Sequence, residues 1–175
     1  EITPSVICSD KRMSYHKVTA LLEDKEWEDP EEKLSYQPFR ELLTKMRELA
    51  RLLRKSRMAR GALDFDFPES KVYFDENGNI SKICAEEREE SHKIIEEFML
   101  IANETVSTYL EGTGNPTVFR IHEIPDKERI EMMKTVLSVF NLPVPSAENP
   151  TPEEFQLLLE VAAGTVAAQV FQSVA

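Results

Sequence analysis

The sequence contains little cysteine and no long apolar run. Only two of its 175 residues are cysteine, Cys8 and Cys84, too few for a disulfide framework or a thiolate zinc site. Every uncharged apolar run is shorter than the roughly 20 residues that a membrane span requires, and the first residues lack the charge-then-apolar layout of a signal peptide. These absences predict reduced thiols and a cytoplasmic protein.

Signatures of several enzyme classes are also missing. The sequence has no glycine-rich phosphate loop, no serine nucleophile elbow and no paired-cysteine zinc ligands. With 32 acidic and 21 basic residues the net charge is −11, whereas a module that coats nucleic acid draws its affinity from neutralised phosphates. The composition, 41% apolar and 30% charged residues, indicates one globular domain. The negative net charge, taken alone, argues against RNA as a ligand.

Charge is segregated along the chain. Residues 23–32 hold seven acids and one lysine, typical of a solvated face, and residues 40–60 hold eight bases and two acids. The basic run lies within residues 34–58, whose apolar residues recur every three or four positions and predict a long helix ending near glycine 61. Three arginines fall on another face of that helix and suit either phosphates or ion pairs with acids: Arg47, Arg51 and Arg54.

The rest of the chain mixes short strands with further helices. Alternation predicts a strand over 62–67, and Asp75-Glu76-Asn77-Gly78 predicts a hairpin turn between strands at 71–74 and 80–85. Further patterns predict helices over 88–110, 126–140 and 151–175, and a strand at 117–121. We therefore expect an α+β fold: a mostly helical segment with a β-hairpin and short strands that belong to a larger sheet.

Both ends of the chain suggest a piece of a longer protein. Residues 161–175 are small, apolar and uncharged, a composition that a chain seldom leaves as its natural terminus. The first residue is glutamate instead of an initiator methionine. We expect further sequence on both sides.

Two carboxylates fall in an apolar part of the predicted helix over 88–110. Residues 94–102 are apolar nearly all round, which predicts burial, and Glu96 and Glu97 lie among them. Because a buried carboxylate is costly without a partner, each is expected in an ion pair or held for a ligand or metal. Glu89-x-x-His92 has the spacing of a di-iron helix, but the other ligands of such a bundle are missing, so these residues alone predict no metal site.

Five short segments carry a family resemblance. They are CSDKRMSY (8–15), LLRKSR (52–57), GALDF (61–65), IIEEFMLIAN (94–103) and FRIHEIPD (119–126). In this order they resemble the RNB catalytic domain of the ribonuclease II and ribonuclease R family of exoribonucleases, and they are closer to the ribonuclease R branch. The resemblance spans nearly the whole chain.

The resemblance implies a Mg²⁺-dependent hydrolase. Such an enzyme threads single-stranded RNA into a channel and removes 5′-mononucleotides processively from the 3′ end, using metal ions to activate water. The family's metal-binding aspartates lie upstream of the part seen here, and its arginines that follow a Thr-Ser-Pro-Ile segment lie downstream. Residues 1–175 are therefore expected to be the middle of an RNB domain with both flanks missing, inactive alone, with no catalytic or metal-binding residue of its own.

The resemblance also assigns RNA contacts to single residues. Tyr15 matches a tyrosine that holds the 3′-terminal nucleotide, Phe65 an aromatic that clamps terminal bases by stacking, and Glu96 a glutamate that accepts hydrogen bonds from the terminal ribose hydroxyls. Each has a structural alternative: helix-start packing for Tyr15, core packing for Phe65 and an ion pair for Glu96. Glu97 is expected to hold the helix to its neighbours, and two further residues are expected to be structural: Arg120 and His122.

A rival interpretation comes from a different functional class. The chain could be a non-catalytic helical scaffold or protein-interaction module that keeps the family's fold. In that case the apolar residues 161–175 would bind a partner protein. An altered aspartate cluster in the complete protein would favour this rival.

Overall fold

The computed structural model describes residues 2–63, 69–86, 88–121, 126–145, 150–162 and 165. Helices and strands follow one another along this part of the chain in the order α1 (Tyr15–Leu22), α2 (Pro30–Tyr36), α3 (Arg40–Ala59), β1 (Glu69–Phe74), β2 (Ile80–Glu86), α4 (Glu90–Gly112), α5 (Lys127–Val139) and α6 (Pro152–Ala162). The fold is mostly helical with one two-stranded antiparallel hairpin among the described residues, which confirms the predicted α+β class.

A short 3₁₀ turn at Gln37–Phe39 separates α2 from α3. The start of α2 is capped by Asp29, whose carboxylate accepts a hydrogen bond from the Glu31 N–H at 2.8 Å. Pro38 has no N–H and cannot donate to the preceding turn, so the chain tightens here. The single long helix predicted over 34–58 is therefore two helices joined by this turn.

The end of α3 lies where the sequence predicts it. Gly61 has a φ of +85°, a left-handed conformation that favours glycine. The next N–H, that of Ala62, donates to the Arg57 carbonyl at 3.3 Å and closes the end of the helix. Of the strand predicted over 62–67, the first two residues are not in a strand, and the others lie outside the described residues.

The predicted hairpin is confirmed. Strands β1 and β2 pair antiparallel. In the turn between them, the Asp75 carboxylate accepts hydrogen bonds from the N–H groups of Asn77 and Asn79 at 2.9 and 2.8 Å. Gly78 supplies the positive φ, +81°, that the turn requires.

Side-chain caps begin the last two helices. The Asp126 carboxylate accepts from the Arg129 N–H at 2.8 Å at the start of α5. At the start of α6, the Thr151 N–H donates to the Glu154 carboxylate and the Glu154 N–H donates to the Thr151 hydroxyl, a capping box. Both helices were predicted, including the role of Thr151.

Two predictions fare differently. The strand predicted at 117–121 is wrong, because these residues form no strand, and Val118 and Ile121 are exposed. The helix predicted over 151–175 is observed as far as Ala162, and of the residues after it only 165 is described.

The chain divides into two compact units, each with its own core. The first unit comprises residues 1–53 and 68–103, and the second comprises 54–67 and 104–175. The first core is built on α1, α2, α3 and α4 from Val18, Leu21, Leu22, Tyr36, Leu43, Ala50 and Ile94. The second core is built on α5 and α6 from Ile130, Met133, Leu137 and Leu158.

Only one face of α4 is buried in the first unit. Ile94 lies in the core, but Ile95, Met99 and Ile101 are exposed, so the predicted burial of residues 94–102 all round the helix is wrong. No other described helix covers that side of α4 within this unit. None of the helices in the described part of the chain is long and apolar enough to cross a membrane.

Candidate functional site

A hydrogen bond and an ion pair from two other helices contact the start of α4. His16 Nδ1 of α1 lies 3.0 Å from Glu89 Oε1, and Arg51 of α3 donates to Glu90 Oε1 from Nε and Nη2 at 3.0 and 2.6 Å. Burial is the largest single influence on the pKa of Glu89 and would raise it, but the neighbouring polar groups, His16 first among them, together outweigh burial, and the pKa lies below its ordinary value. Carboxylates at this end of a helix are also favoured by its dipole.

Two buried hydroxyls join α1 to α4. The Thr19 hydroxyl donates to Ser91 Oγ at 2.8 Å, and Ser91 Oγ donates to the Tyr15 carbonyl at 2.9 Å. The Ser91 N–H in turn donates to Thr19 Oγ1 at 3.3 Å. Thr19 and Ser91 are 1% and 2% exposed, so water does not compete for these bonds. The network fixes the backbone of Tyr15 against the first turn of α4.

The Tyr15 ring lies on the outside of this junction. It stacks on the His92 imidazole with 4.1 Å between ring centroids and 20° between planes. The Tyr15 residue is 45% exposed. His92 Nδ1 accepts a hydrogen bond from the Glu89 N–H at 3.2 Å, in the manner of a capping box at the helix start. The two rings therefore form an ordered aromatic platform that solvent can reach.

Glu96 lies one turn beyond His92 on the same face of α4. Arg88 grips its carboxylate: Nε donates to Oε1 and Oε2 at 2.9 and 3.0 Å, and Nη2 also donates to Oε2. The ion pair considered for Glu96 from the sequence is thus observed. The carboxylate is about one third exposed, and with roughly four lone-pair positions it can still accept hydrogen bonds from a ligand.

Glu97 occupies a different position from its neighbour. It is 3% exposed and lies on the buried side of α4 with Ile94. This placement agrees with the expectation that Glu97 holds the helix to its surroundings. Only one of the two adjacent carboxylates is therefore available to a ligand.

An apolar pocket opens beside Tyr15 in the first unit. Its volume is about 430 Å³, within the range of roughly 300–1,000 Å³ that small-molecule sites occupy. The residues that line it come from α1, α3, α4 and the segment before α1, and they include Lys11, Met13, Tyr15, Phe39, Met46 and Ile95. An aromatic platform, an apolar pocket and an oriented carboxylate suit a ligand with a flat ring and hydroxyl groups.

The described residues do not form a metal site. No three histidine, cysteine, aspartate or glutamate side chains in this part of the chain lie close enough together to hold an ion. The Glu89-x-x-His92 spacing serves the helix start instead, because the Glu89 carboxylate pairs with His16 and His92 Nδ1 accepts a backbone hydrogen bond. The described residues therefore offer no set of side chains that fits an Mg²⁺ ion.

The structure describes two of the three predicted site residues. Tyr15 stacks on His92, and Glu96 follows His92 by one turn of α4. Phe65 lies outside the described residues, as does His122. Arg120 is exposed. Sequence reasoning missed the partners that orient the site, which are Thr19, Arg88, Ser91 and, as the ring beneath Tyr15, His92.

Comparison with known proteins assigns the chain to a family. Residues 1–174 match the RNB domain. Ribonuclease R of Thermotoga maritima is 40% identical over 161 residues, which are 91% of this chain and 22% of that protein. Ribonuclease R of Escherichia coli is 31% identical over 169 residues, which are 97% of this chain and 20% of that protein. The chain thus spans about a fifth of the length of these relatives.

Solved structures agree on the fold. RNase R of Mycoplasma genitalium in complex with ribose methylated single-stranded RNA has a TM-score of 0.78 at 22% identity, covering 93% of this chain and 25% of that one. The same enzyme in complex with double-stranded RNA has a TM-score of 0.77 at 22% identity, covering 93% and 28%. The described helices and hairpin are therefore an RNB-type arrangement.

Proposed function

Because the chain belongs to the RNB domain family, we propose that it is the central segment of a 3′–5′ exoribonuclease that acts on single-stranded RNA in the cytoplasm. The complete enzyme is proposed to release 5′-mononucleotides processively with Mg²⁺. As the family resemblance implies, the metal ligands are proposed to lie outside this chain. The proposal also makes residues 1–175 an incomplete catalytic domain.

One observation carries the proposal at the level of residues. The Tyr15 ring stacks on His92 of α4, and Glu96 lies one turn further along the same face of that helix. Solvent reaches both the Tyr15 residue and the Glu96 carboxylate. A terminal ribonucleoside offers a flat base and neighbouring ribose hydroxyls, which these two groups can stack against and accept hydrogen bonds from. A carboxylate directed at the 2′-hydroxyl favours RNA over DNA. RNase R of Mycoplasma genitalium is found in complex with ribose methylated single-stranded RNA, which supports RNA as the class of ligand.

The first test uses the complete protein and single-stranded RNA labelled at its 5′ end, with Mg²⁺ or with EDTA. We expect stepwise shortening from the 3′ end only with Mg²⁺. The isolated 175-residue chain should release no nucleotides. Absence of cleavage by the complete protein would overturn the proposal and favour the scaffold role, and cleavage by the isolated chain would contradict the placing of the metal ligands.

Glu96 can be tested against a matched carboxylate. Glu96→Gln in the complete protein should lower cleavage by about 10-fold or more, the usual size of a lost charge-assisted hydrogen bond. Glu111→Gln, at the exposed end of the same helix, is the control and should cleave at the wild-type rate. Equal losses of activity and of folding stability in Glu96→Gln would make the glutamate purely structural.

Phe65 has a binding test of its own. We propose that it stacks on a terminal base, so Phe65→Ala should weaken single-strand binding by about 1–3 kcal/mol. Tyr73→Ala is a control, because Tyr73 is an exposed aromatic residue of the hairpin in the first unit. Unchanged RNA binding by Phe65→Ala would show that the residue packs in the protein.

A further inference from the structure

Tyr15 is held at its backbone but not at its ring by the hydroxyl network. Ser91 Oγ donates to the Tyr15 carbonyl at 2.9 Å and fixes the main chain at the start of α1. A tyrosine with a fixed backbone still has a choice of side-chain rotamers. Since the residue is 45% exposed, packing on the solvent side does not select one of them. Another group must set the direction of the ring.

The geometry identifies His92 as the group that sets the direction of the Tyr15 ring. The two rings are nearly parallel, with planes 20° apart and centroids separated by 4.1 Å. Stacked contacts of this kind are worth about 0.5–1.5 kcal/mol beyond the area that they bury. That energy is enough to favour one rotamer of Tyr15 by about 2- to 13-fold.

A backbone hydrogen bond orients the His92 imidazole in turn. Its Nδ1 accepts the Glu89 N–H at 3.2 Å, so the ring is not free to turn. Glu89 is tied to α1 through His16, at 3.0 Å, and the same helix also carries Tyr15. The junction between α1 and α4 therefore positions both Tyr15 and His92.

We infer that His92 is a positioning residue that sets the Tyr15 ring for the 3′-terminal nucleotide of RNA, in addition to capping α4. This inference rests on the proposed function, which supplies the ligand. The two tasks of His92 use different parts of the side chain: the flat ring supports Tyr15, and Nδ1 caps the helix. They can therefore be separated by substitution.

The test compares two variants of the complete protein. His92→Gln keeps an acceptor for the Glu89 N–H, as glutamine does in a capping box, but has no ring. His92→Phe keeps a ring of similar size but has no acceptor. We expect His92→Gln to lower the single-turnover cleavage rate about 3- to 10-fold, with the thermal midpoint lowered by no more than the small energy of the lost stack. His92→Phe should stay within about 2-fold of the wild-type rate but melt at a lower temperature.

A double-mutant cycle shows whether His92 acts through Tyr15. In a Tyr15→Ala background, His92→Gln should cause no further loss of rate, because the ring that it positions is gone. Losses that multiply would overturn the inference, and so would a larger loss of rate in His92→Phe than in His92→Gln.

The same double-mutant cycle is also measured with a second assay, the equilibrium binding of a short single-stranded RNA. If the wild type does not cleave, the proposed function fails, and the binding cycle decides the role of His92. If the wild type cleaves but neither cleavage nor binding depends on Tyr15, the proposed function stands and the positioning role of His92 is refuted.

Discussion

Replacing Thr19 with valine should loosen the junction between α1 and α4. Valine has nearly the shape of threonine, so the substitution removes the hydroxyl without leaving a cavity. Two hydrogen bonds are lost: the one that Thr19 donates to Ser91 Oγ and the one that it accepts from the Ser91 N–H. Ser91 is the second residue of α4, where an N–H has no acceptor within the helix. That N–H is left buried and unpaired.

The cost follows from the burial of both residues. Thr19 and Ser91 are 1% and 2% exposed, so water cannot replace the lost hydroxyl. An orphaned buried donor costs about 1–3 kcal/mol. If α1 exchanges its amide protons by detaching from α4, this cost corresponds to exchange that is about 5- to 150-fold faster. Thr19→Ser keeps the hydroxyl and loses only a buried methyl group, at about 1 kcal/mol, so its α1 should exchange more slowly than that of Thr19→Val.

Hydrogen exchange of the complete protein, followed by mass spectrometry, measures this effect in α1, whose own helical bonds do not change. Thr108→Val is the matched control, since Thr108 lies on α4 and its hydroxyl donates to the Glu104 carbonyl at an exposed position. Exposed substitutions usually change stability by less than about 0.5 kcal/mol. Equal exchange of α1 in Thr19→Val and the wild type would refute the role assigned to the network.

Three further outcomes are expected. Gly61→Ala should destabilise the second unit by about 1–2 kcal/mol, because the residue has a φ of +85° and an added Cβ would lie 2.9 Å from Glu153 Oε1. Faster amide exchange at the end of α3 would show this loss of stability. The hydrogen bond from the Asn79 N–H holds the pKa of Asp75 below its ordinary 3.8. The contribution of Asp75 to the stability of the hairpin is therefore present above pH 3.8 and is lost as the pH falls below that value. Amide protection of β1 and β2 measures this loss. Arg88→Lys should lower RNA cleavage about 10-fold, because lysine replaces a fork that grips both carboxylate oxygens with a single point charge.

Each of these outcomes has a control. Gly78→Ala shares a positive φ of +81° but meets no atom within 4 Å, so a larger effect at Gly61 isolates the contact with α6. Asp75→Asn should remove the acid sensitivity of the hairpin, and persistence of that sensitivity would assign it to another group. Arg129→Lys, at an exposed ion pair on α5, should leave cleavage unchanged. A wild-type rate in Arg88→Lys would mean that Glu96 needs no fixed orientation.

Local patterns predicted most of the helices and the hairpin because their causes are local. The Asp75 to Gly78 turn contains its own hydrogen-bond acceptor and its own glycine with positive φ. The strand predicted at 117–121 failed because a strand needs a partner, and apolar residues alone supply none. The burial predicted around residues 94–102 failed for a related reason. Apolar composition shows which residues could be buried, but packing in the first unit covers only the side of α4 that carries Ile94.

The site was only half predictable. Tyr15 and Glu96 were predicted as RNA contacts through the family resemblance, and in the structure Tyr15 stacks on His92, one turn before Glu96 on α4. The partners that orient them leave no local signal, since Thr19 and Ser91 are 72 residues apart in sequence. Arg88 precedes the first residue of α4, so helical spacing does not pair it with Glu96. Phe65 remains a prediction.

The long sequence separations at the start of α4 also fix when the site can exist during synthesis. The hydrogen bonds between its helices join residues that are 39 to 76 positions apart, and closing such loops is slower than forming local structure. At translation rates of about 5–20 residues per second, the 72 residues between Thr19 and Ser91 take about 4–14 s to make. During that interval Tyr15 has no ring to stack on. A growing chain therefore cannot form the stacked pair of Tyr15 and His92 until most of the first unit has been made.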